Sequence, residues 1–244
     1  MITEFYNLDF NTAPSTVLHI DINSCFATIE QQYNPELRYK PVVVVSRGGP
    51  SGCILAASVE AKRLGIKGGM RMREVKFICP NLIAVTPTPN RYREVHKKLK
   101  NLLLDYTARV IPKSIDEFVL HMENYPYLKK GMFKMADEIK FRINAEIGEW
   151  ITVSIGIAPN RFLAKTAAGL IKPNGLAEIN EANHKEIFSK LKLKDLCGIN
   201  RGNAKRLNDV GINNVLDFYN ADFFKLQSAF KSIAAYYWFL RLRG

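Results

Sequence analysis

Cysteine, histidine and acidic side chains are all scarce in this chain of 244 residues, and each scarcity closes off a class of chemistry. The four cysteines, Cys25, Cys53, Cys79 and Cys197, are isolated from one another with no Cys-x-x-Cys pair, which argues against a zinc module and a disulfide framework. The four histidines, His19, His96, His121 and His184, lack metal-ligand spacing and are expected as surface or strand residues. No apolar run approaches the roughly 18 residues that a membrane span needs. Met1–Ser15 is polar and acidic, so neither a span nor a signal peptide is predicted; a reducing cytoplasm is the expected compartment. The Gly-rich turn Ser46–Gly52 lacks the Gly-Lys-Ser/Thr ending of a P-loop and fits a hairpin connection better than a phosphate cradle.

What is present is positive charge. Lys and Arg number 35 against 23 Asp and Glu, a net charge of +12 spread over helices rather than gathered in one tail. A solvated basic surface and phosphate contacts to nucleic acid both fit that balance. With 47% hydrophobic residues the chain has core enough for one large domain or a few small ones.

The periodicities predict a mixed chain. Thr16–Ile20 reads as a strand and Ser24–Gln32 as a helix. Lys40–Val45 and Cys53–Ala57 are apolar runs around the Gly-rich turn, Ser58–Leu64 is a helix capped by Ser58, and Met70–Ile78 is another, ended by Cys79-Pro80. Leu82–Val85 is a short strand. From there Arg91–Tyr106 (helix), Ala108–Pro112 and Phe118–Met122 (strands), Met132–Ile147 (helix) and Ile151–Ile157 (strand) follow in order. Together with Thr16–Ile20 this gives strand, helix, strand, strand, helix, strand: an α+β chain with a ferredoxin-like βαββαβ core and an insertion after its first strand.

That arrangement sets the first strand beside the third, so Asp21 and the acidic turn Ser114-Ile115-Asp116-Glu117 reach one rim of the sheet. Carboxylates held close repel one another unless a cation neutralises them, and hard divalent ions bound by oxygen do so. A helix cap at Asp21 and a polar turn at Asp116-Glu117 would account for the same residues. Two divalent ions suit in-line phosphoryl transfer and need neither a Ser-His-Asp nor a Cys-His arrangement. Lys62 and Arg63 read, by themselves, as exposed helix cations, and Phe26 as a core residue.

Five stretches in combination resemble the Y-family, lesion-bypass DNA polymerases. They are Asp21–Glu30, Asn34–Val44, Ser58–Lys62, Ser114–Glu117 and Ser154–Lys165, in the family's order over nearly the whole chain. The resemblance implies a palm (1–24 and 81–171), an inserted small α/β fingers domain (25–80) and a helical thumb (172–244). It implies Asp21, Asp116 and Glu117 as catalytic carboxylates that bind two Mg2+ ions with the backbone carbonyl of Ile22. It implies Phe26 as the steric gate beneath the incoming sugar, and Lys62 and Lys165, assisted by Arg63, as cations on the triphosphate. Leu196–Leu207 with Val210–Ile212 resembles the family's helix-hairpin-helix, which implies DNA contacts at Gly198, Asn200, Arg201 and Gly202.

Three positions depart from the family pattern. Val59 stands where a tyrosine is common, Lys62 where an arginine is, and Asn23 where an aspartate is. Val59 removes a hydrogen-bond donor, and lysine is a point charge without a bidentate fork, so weaker nucleotide binding is expected. These residues resemble the polymerase V branch more than the polymerase IV branch. Asn200 occupies the place of a second hairpin glycine. Family members continue into a little finger domain and often a clamp-binding peptide, and the sequence ends at Gly244, where the thumb would end.

The expected activity is therefore template-directed addition of deoxynucleotides to a primer 3′-OH, of low processivity and without proofreading. The expected partners are primer-template DNA, deoxynucleoside triphosphates and, through a region beyond these residues, a sliding clamp; no membrane is expected, and the chain is expected to be a monomer. Two alternatives stand beside it: a non-catalytic polymerase-like DNA-binding scaffold, and a palm-fold nucleotidyl cyclase.

Overall fold

The computed structural model describes residues 8–244, and the first seven residues of the N-terminal segment lie outside it. Alternation sets the architecture. The first strand, β1 (Val17–Ile22), is buried along nearly its whole length, because it is paired on both edges and covered on both faces. Leu18, Ile20 and Ile22 point into one core, while Val17, with neighbours Val119 and Ala158, points into the other. His19 and Asp21 share the parity of Val17, so the polar residues of the strand fall on one face.

A sharp turn at Ser24, whose φ of +53° is left-handed, carries the chain into α1 (Cys25–Tyr33). Then β2 (Val42–Val45), β3 (Ile54–Ala57), α2 (Val59–Arg63), α3 (Met72–Ile78) and β4 (Ile83–Val85) complete a small unit. Its sheet has the order β3-β2-β4, antiparallel between β2 and β3 and parallel between β2 and β4. All four valines of β2 are buried, as expected of a central strand covered on both faces. Ser58 accepts the Ala61 N–H at 3.2 Å and caps α2 as its position predicts.

The chain then returns through α4 (Pro89–Leu104), β5 (Val110–Pro112), β6 (Glu117–His121), α5 (Met132–Arg142) and β7 (Val153–Ala158). Their sheet has the order β5-β6-β1-β7-β8, where β8 is Leu176–Glu178. Four of its strands realise the expected βαββαβ order. Between β7 and β8 runs α6 (Arg161–Leu170), packed so tightly on β7 that a Cβ at Gly156 would meet the Ala164 carbonyl oxygen at 2.0 Å. Only glycine fits there. Five further helices close the chain: α7 (His184–Lys190), α8 (Arg201–Asn208), α9 (Val215–Asn220), α10 (Phe223–Phe230) and α11 (Ala234–Arg241). Their core is continuous with the α6 face of the large sheet.

Several boundaries differ from the sequence expectations. The strand at 83–85, placed by sequence with the sheet of 81–171, pairs instead with β2 in the small sheet. The segment after residue 172 is not wholly helical, because β8 adds a parallel edge strand to β7. Cys25 and Ile29 of α1 sit in the core of the large sheet rather than that of the small unit. The helix read as Met132–Ile147 changes at Arg142 into one π turn, Ile143–Ile147. The end of the N-terminal segment is packed: Phe10 is buried and stacked 4.1 Å from His184, and Arg243 donates to the Leu8 carbonyl at 2.6 Å. His184 is thus a buried helix residue, not one of surface or strand. Among the described residues no helix is long and apolar enough to cross a membrane.

Candidate active site

The antiparallel register of β1 and β6 sets Asp21 opposite Glu117. The turn before β6 is pinned to β1 by the Ile22 N–H, which donates to the Asp116 carbonyl at 3.0 Å. Ser114 holds the turn from inside: its hydroxyl donates to Asp116 Oδ1 at 2.5 Å and accepts the Glu117 N–H at 3.1 Å. His96, on α4, stacks on Phe118 and its Nδ1 lies 3.0 Å from the Ile115 carbonyl, so the acidic turn is tethered from outside as well. The two acids and Asp21 are brought to one rim, as the topology predicts.

The carboxylates are nevertheless held by different partners. Lys165, on α6, donates to both oxygens of Glu117 at 2.7 and 2.6 Å. Lys172 donates to Asp21. Among the described residues no group of three or more His, Cys, Asp or Glu side chains is gathered as a metal site. Like charges repel, and Glu117 and Asp21 each turn to a lysine while Asp116 turns to the Ser114 hydroxyl. Burial raises the Asp21 pKa; Lys172 opposes that shift, and Asp116 and Glu117 add to it. For Lys165, burial works against the charge but Glu117 outweighs it, so its pKa is raised.

His19 lies beside this group. Its Nε2 is 3.8 Å from Glu117, yet burial pushes its pKa down to about 4, with Lys165 and Lys172 adding to the fall against the pull of Glu117. The ring is neutral at pH 7, and the contact is not an ion pair.

Two adjoining cavities open in front of Asp21. One, of about 290 Å³, is lined by Asp21, Ile22, Phe26, Lys62, Asp116 and Lys172 among others; the next, of about 320 Å³, by Asn23, Ser24, Val59, Lys62, Arg63 and Lys172. Five expected residues (Asp21, Ile22, Phe26, Lys62 and Asp116) therefore share one cavity, and Arg63 lines its neighbour. Burial lowers the Lys62 pKa, and the repulsion of Lys172 adds to it. Glu117 and Lys165 instead face a larger cavity of about 750 Å³, shared with Arg161 and Gly198. Lys62 and Lys165, both expected on the triphosphate, thus line different cavities.

Lys172 lines both smaller cavities beside Lys62, and sequence reasoning missed it. The signal was there in Lys172-Pro173-Asn174-Gly175, which reads by itself as a helix stop and a turn. Asn23 was legible only as a departure from a family pattern, but in three dimensions it is a hub. Its Oδ1 accepts the Asn174 N–H at 2.7 Å and the Thr152 hydroxyl at 3.1 Å, and its Nδ2 donates to the Ser154 hydroxyl at 2.9 Å. That network sets the turn carrying Lys172 against the end of β1.

On the helical side, Gly198 has a φ of +93°, where glycine is favoured, and lines the large cavity. Asn200 caps α8 by accepting the Asn203 N–H at 2.8 Å, so its side chain serves the helix. A Cβ at Gly202 would lie 3.4 Å from that cap oxygen, and Arg201 is exposed.

The donors Asp21, Asp116, Glu117 and the Ile22 carbonyl are all oxygen, a set that fits hard divalent cations. A model of the impB/mucB/samB family matches residues 20–169. A DNA polymerase IV of Bacillus velezensis is 34% identical over 207 residues, 84% of this chain and 49% of that protein. One of Saccharolobus solfataricus is 33% identical over 224 residues, 91% of this chain and 63% of that protein. Among solved structures, an insertion ternary complex of Dbh DNA polymerase has a TM-score of 0.82 at 31% identity, covering 93% of this chain and 66% of that one. DinB from Sulfolobus solfataricus has a TM-score of 0.80 at 32% identity, with the same coverage. The chain spans about half to two thirds of the length of these relatives. The two relatives compared by sequence are both named DNA polymerase IV, whereas the departures at Asn23, Val59 and Lys62 led to the expectation of a polymerase V-like branch.

Proposed function

The chain belongs to the impB/mucB/samB family, that of the Y-family DNA polymerases, and from that premise we propose that it adds deoxynucleotides to a primer 3′-OH opposite a template. The reading is carried by one observation: the β1–β6 register sets Asp21 against the Asp116–Glu117 turn, beside a cavity whose lining includes Asp21, Asp116, Phe26, Lys62 and Lys172.

In this reading the large sheet with α4 to α6 is the palm, the small sheet with α2 and α3 the fingers, and α7 to α11 the thumb. Asp21, Asp116, Glu117 and the Ile22 carbonyl would hold two Mg2+ ions, which supply charge neutralisation at the attacking and leaving oxygens. Asp116 is already oriented by Ser114. Lys62 and Lys172 bind the triphosphate across the two cavities, with Arg63 behind them and the N-terminus of α1 contributing unpaired N–H groups, since it has no side-chain cap. Ser24 Oγ, buried there and without a hydrogen-bond partner, is a further donor to phosphate oxygen. Phe26 underlies the sugar, where a 2′-OH would collide with its ring. In this reading the primer strand runs on the other side of Glu117, along the cavity with Lys165, Arg161 and Gly198, and the hairpin at Gly198–Gly202 contacts backbone phosphates.

The test is primer extension by Asp116→Ala and Glu117→Ala with DNA binding measured in parallel. Extension should fall by about three orders of magnitude or more while binding persists. Extension at the parental rate by either variant would overturn the mechanism.

A further inference from the structure

Behind Phe26 lies a buried polar network that neither metal binding nor triphosphate binding uses. We infer that Tyr92, anchored by the buried carboxylate of Glu30, is a positioning residue that fixes the Phe26 ring and so sets the selectivity between deoxy- and ribonucleotides. The inference rests on the reading of Phe26 as the residue beneath the sugar.

Phe26 and Glu30 are four residues apart on α1, hence on one helix face. That face meets the first turns of α4. The Tyr92 ring lies parallel to Phe26, with centroids 4.4 Å apart and planes at 15°. Its hydroxyl donates to Glu30 Oε1 at 2.7 Å and accepts the Thr88 N–H at 3.0 Å, so the phenol is held from both sides. The second oxygen of Glu30 accepts from Arg91 at 2.7 Å, and that guanidinium lies 4.9 Å over the Tyr33 ring. Both carboxylate oxygens are thereby used.

Glu30 is only 4% exposed. A carboxylate in such a place costs free energy unless fully paired, and an apolar side chain would pack there without that demand. What the carboxylate adds is direction: it orients one hydroxyl, and with it the plane of one ring. Phe26 is half-buried, stacked on Tyr92 and lining the cavity shared with Asp21 and Asp116. A gate that works by collision discriminates only as far as it resists displacement. Should the ring yield by about an ångström, the added hydroxyl is accommodated and most of the discrimination disappears. Tyr92 has no freedom to yield, because stacking fixes its plane and two hydrogen bonds fix its tip.

The experiment compares kcat/KM for a deoxynucleotide and the matching ribonucleotide in the parent, Tyr92→Phe and Tyr92→Leu, each also combined with Phe26→Ala. Tyr92→Leu should narrow the deoxy preference about tenfold, and Tyr92→Phe, which keeps the stack but loses the anchor, about threefold. Deoxynucleotide incorporation should change less than the ratio. In the Phe26→Ala background neither change should move the ratio further, since Tyr92 acts through that ring. Tyr92→Phe conserves volume and carries the test if Tyr92→Leu does not fold. An unchanged ratio in the Tyr92 variants, with Phe26→Ala alone collapsing it, overturns this inference and leaves the steric gate standing. So does an effect of equal size with and without Phe26. If Phe26→Ala itself leaves the ratio unchanged, the steric-gate reading fails first and the inference with it.

Discussion

Asp21 and Glu117 face each other across adjacent antiparallel strands, and each is held by a different lysine, Lys172 for Asp21 and Lys165 for Glu117. The two lysines divide the site. Lys172 borders the cavities with Lys62 and Arg63, whereas Lys165 borders the cavity on the far side of Glu117. Their expected roles differ accordingly.

Lys172→Ala should raise KM for the incoming nucleotide about tenfold or more, because a cation within reach of a triphosphate is worth a kcal/mol or two even when partly screened. Affinity for primer-template should stay near the parental value. Steady-state kinetics at saturating DNA, with a separate binding titration, checks both halves. A loss confined to DNA affinity would move Lys172 to the other side of the site.

Asn23→Ala should destabilise the fold by roughly 2–4 kcal/mol, since it strips partners from Thr152 and Ser154 on one segment and the Asn174 backbone on another. The loss should also reach the nucleotide side, because Asn23 holds the Asn174 backbone beside Lys172. Thermal unfolding and nucleotide KM should move together in this variant. Stability lost with KM unchanged would show that the turn keeps Lys172 in place unaided.

Acid should weaken the packing of the N-terminal segment against the helical end through His184. Burial holds its pKa below the usual value of 6.5, while hydrogen bonding to the Glu181 carbonyl opposes the shift. A carbonyl only accepts, so Nδ1 carries the proton, and Nε2 is buried without a partner beside Phe10, Phe188 and Tyr219. The unfolded chain binds more protons than the native one below pH 6.5. This contribution is therefore complete above 6.5 and is lost as pH falls through the lower native value. Unfolding midpoints of the parent and His184→Phe between pH 7.5 and about 5 should diverge, with the parent losing more. Parallel curves would rule His184 out as the source.

DNA affinity should depend steeply on salt. With a net charge of +12 and contacts made mostly to phosphates, the dissociation constant should rise by about 10³ between 50 and 200 mM monovalent salt. Fluorescence anisotropy with a labelled primer-template measures it. A change under about tenfold would mean far fewer phosphate contacts than the basic surface suggests.

Much of the site was legible in the sequence because strand alternation and topology are local to read. Apolar runs place β1, β6 and β7, and their order alone brings Asp21 to the acidic turn. Ser58 announced its own helix cap. Short elements were less legible: β8 has three residues and none of the β-branched enrichment that marks a strand, and β4 fits either sheet until its partner is known.

By itself, then, the sequence determined the α+β order, the meeting of Asp21 with the Asp116–Glu117 turn and the excess of positive charge, since each depends on residue type and spacing along the chain. Only the tertiary structure decided which lysine serves which acid, because Lys165 and Lys172 are seven residues apart, both cationic, and separated in role solely by where α6 ends and the Asn23 network sets the turn. Tertiary structure likewise made Glu30, a plain helix glutamate in sequence, the anchor of Tyr92, 62 residues away. A hydrogen bond between distant segments leaves no periodic trace, and it is read only when packing has brought the two ends together.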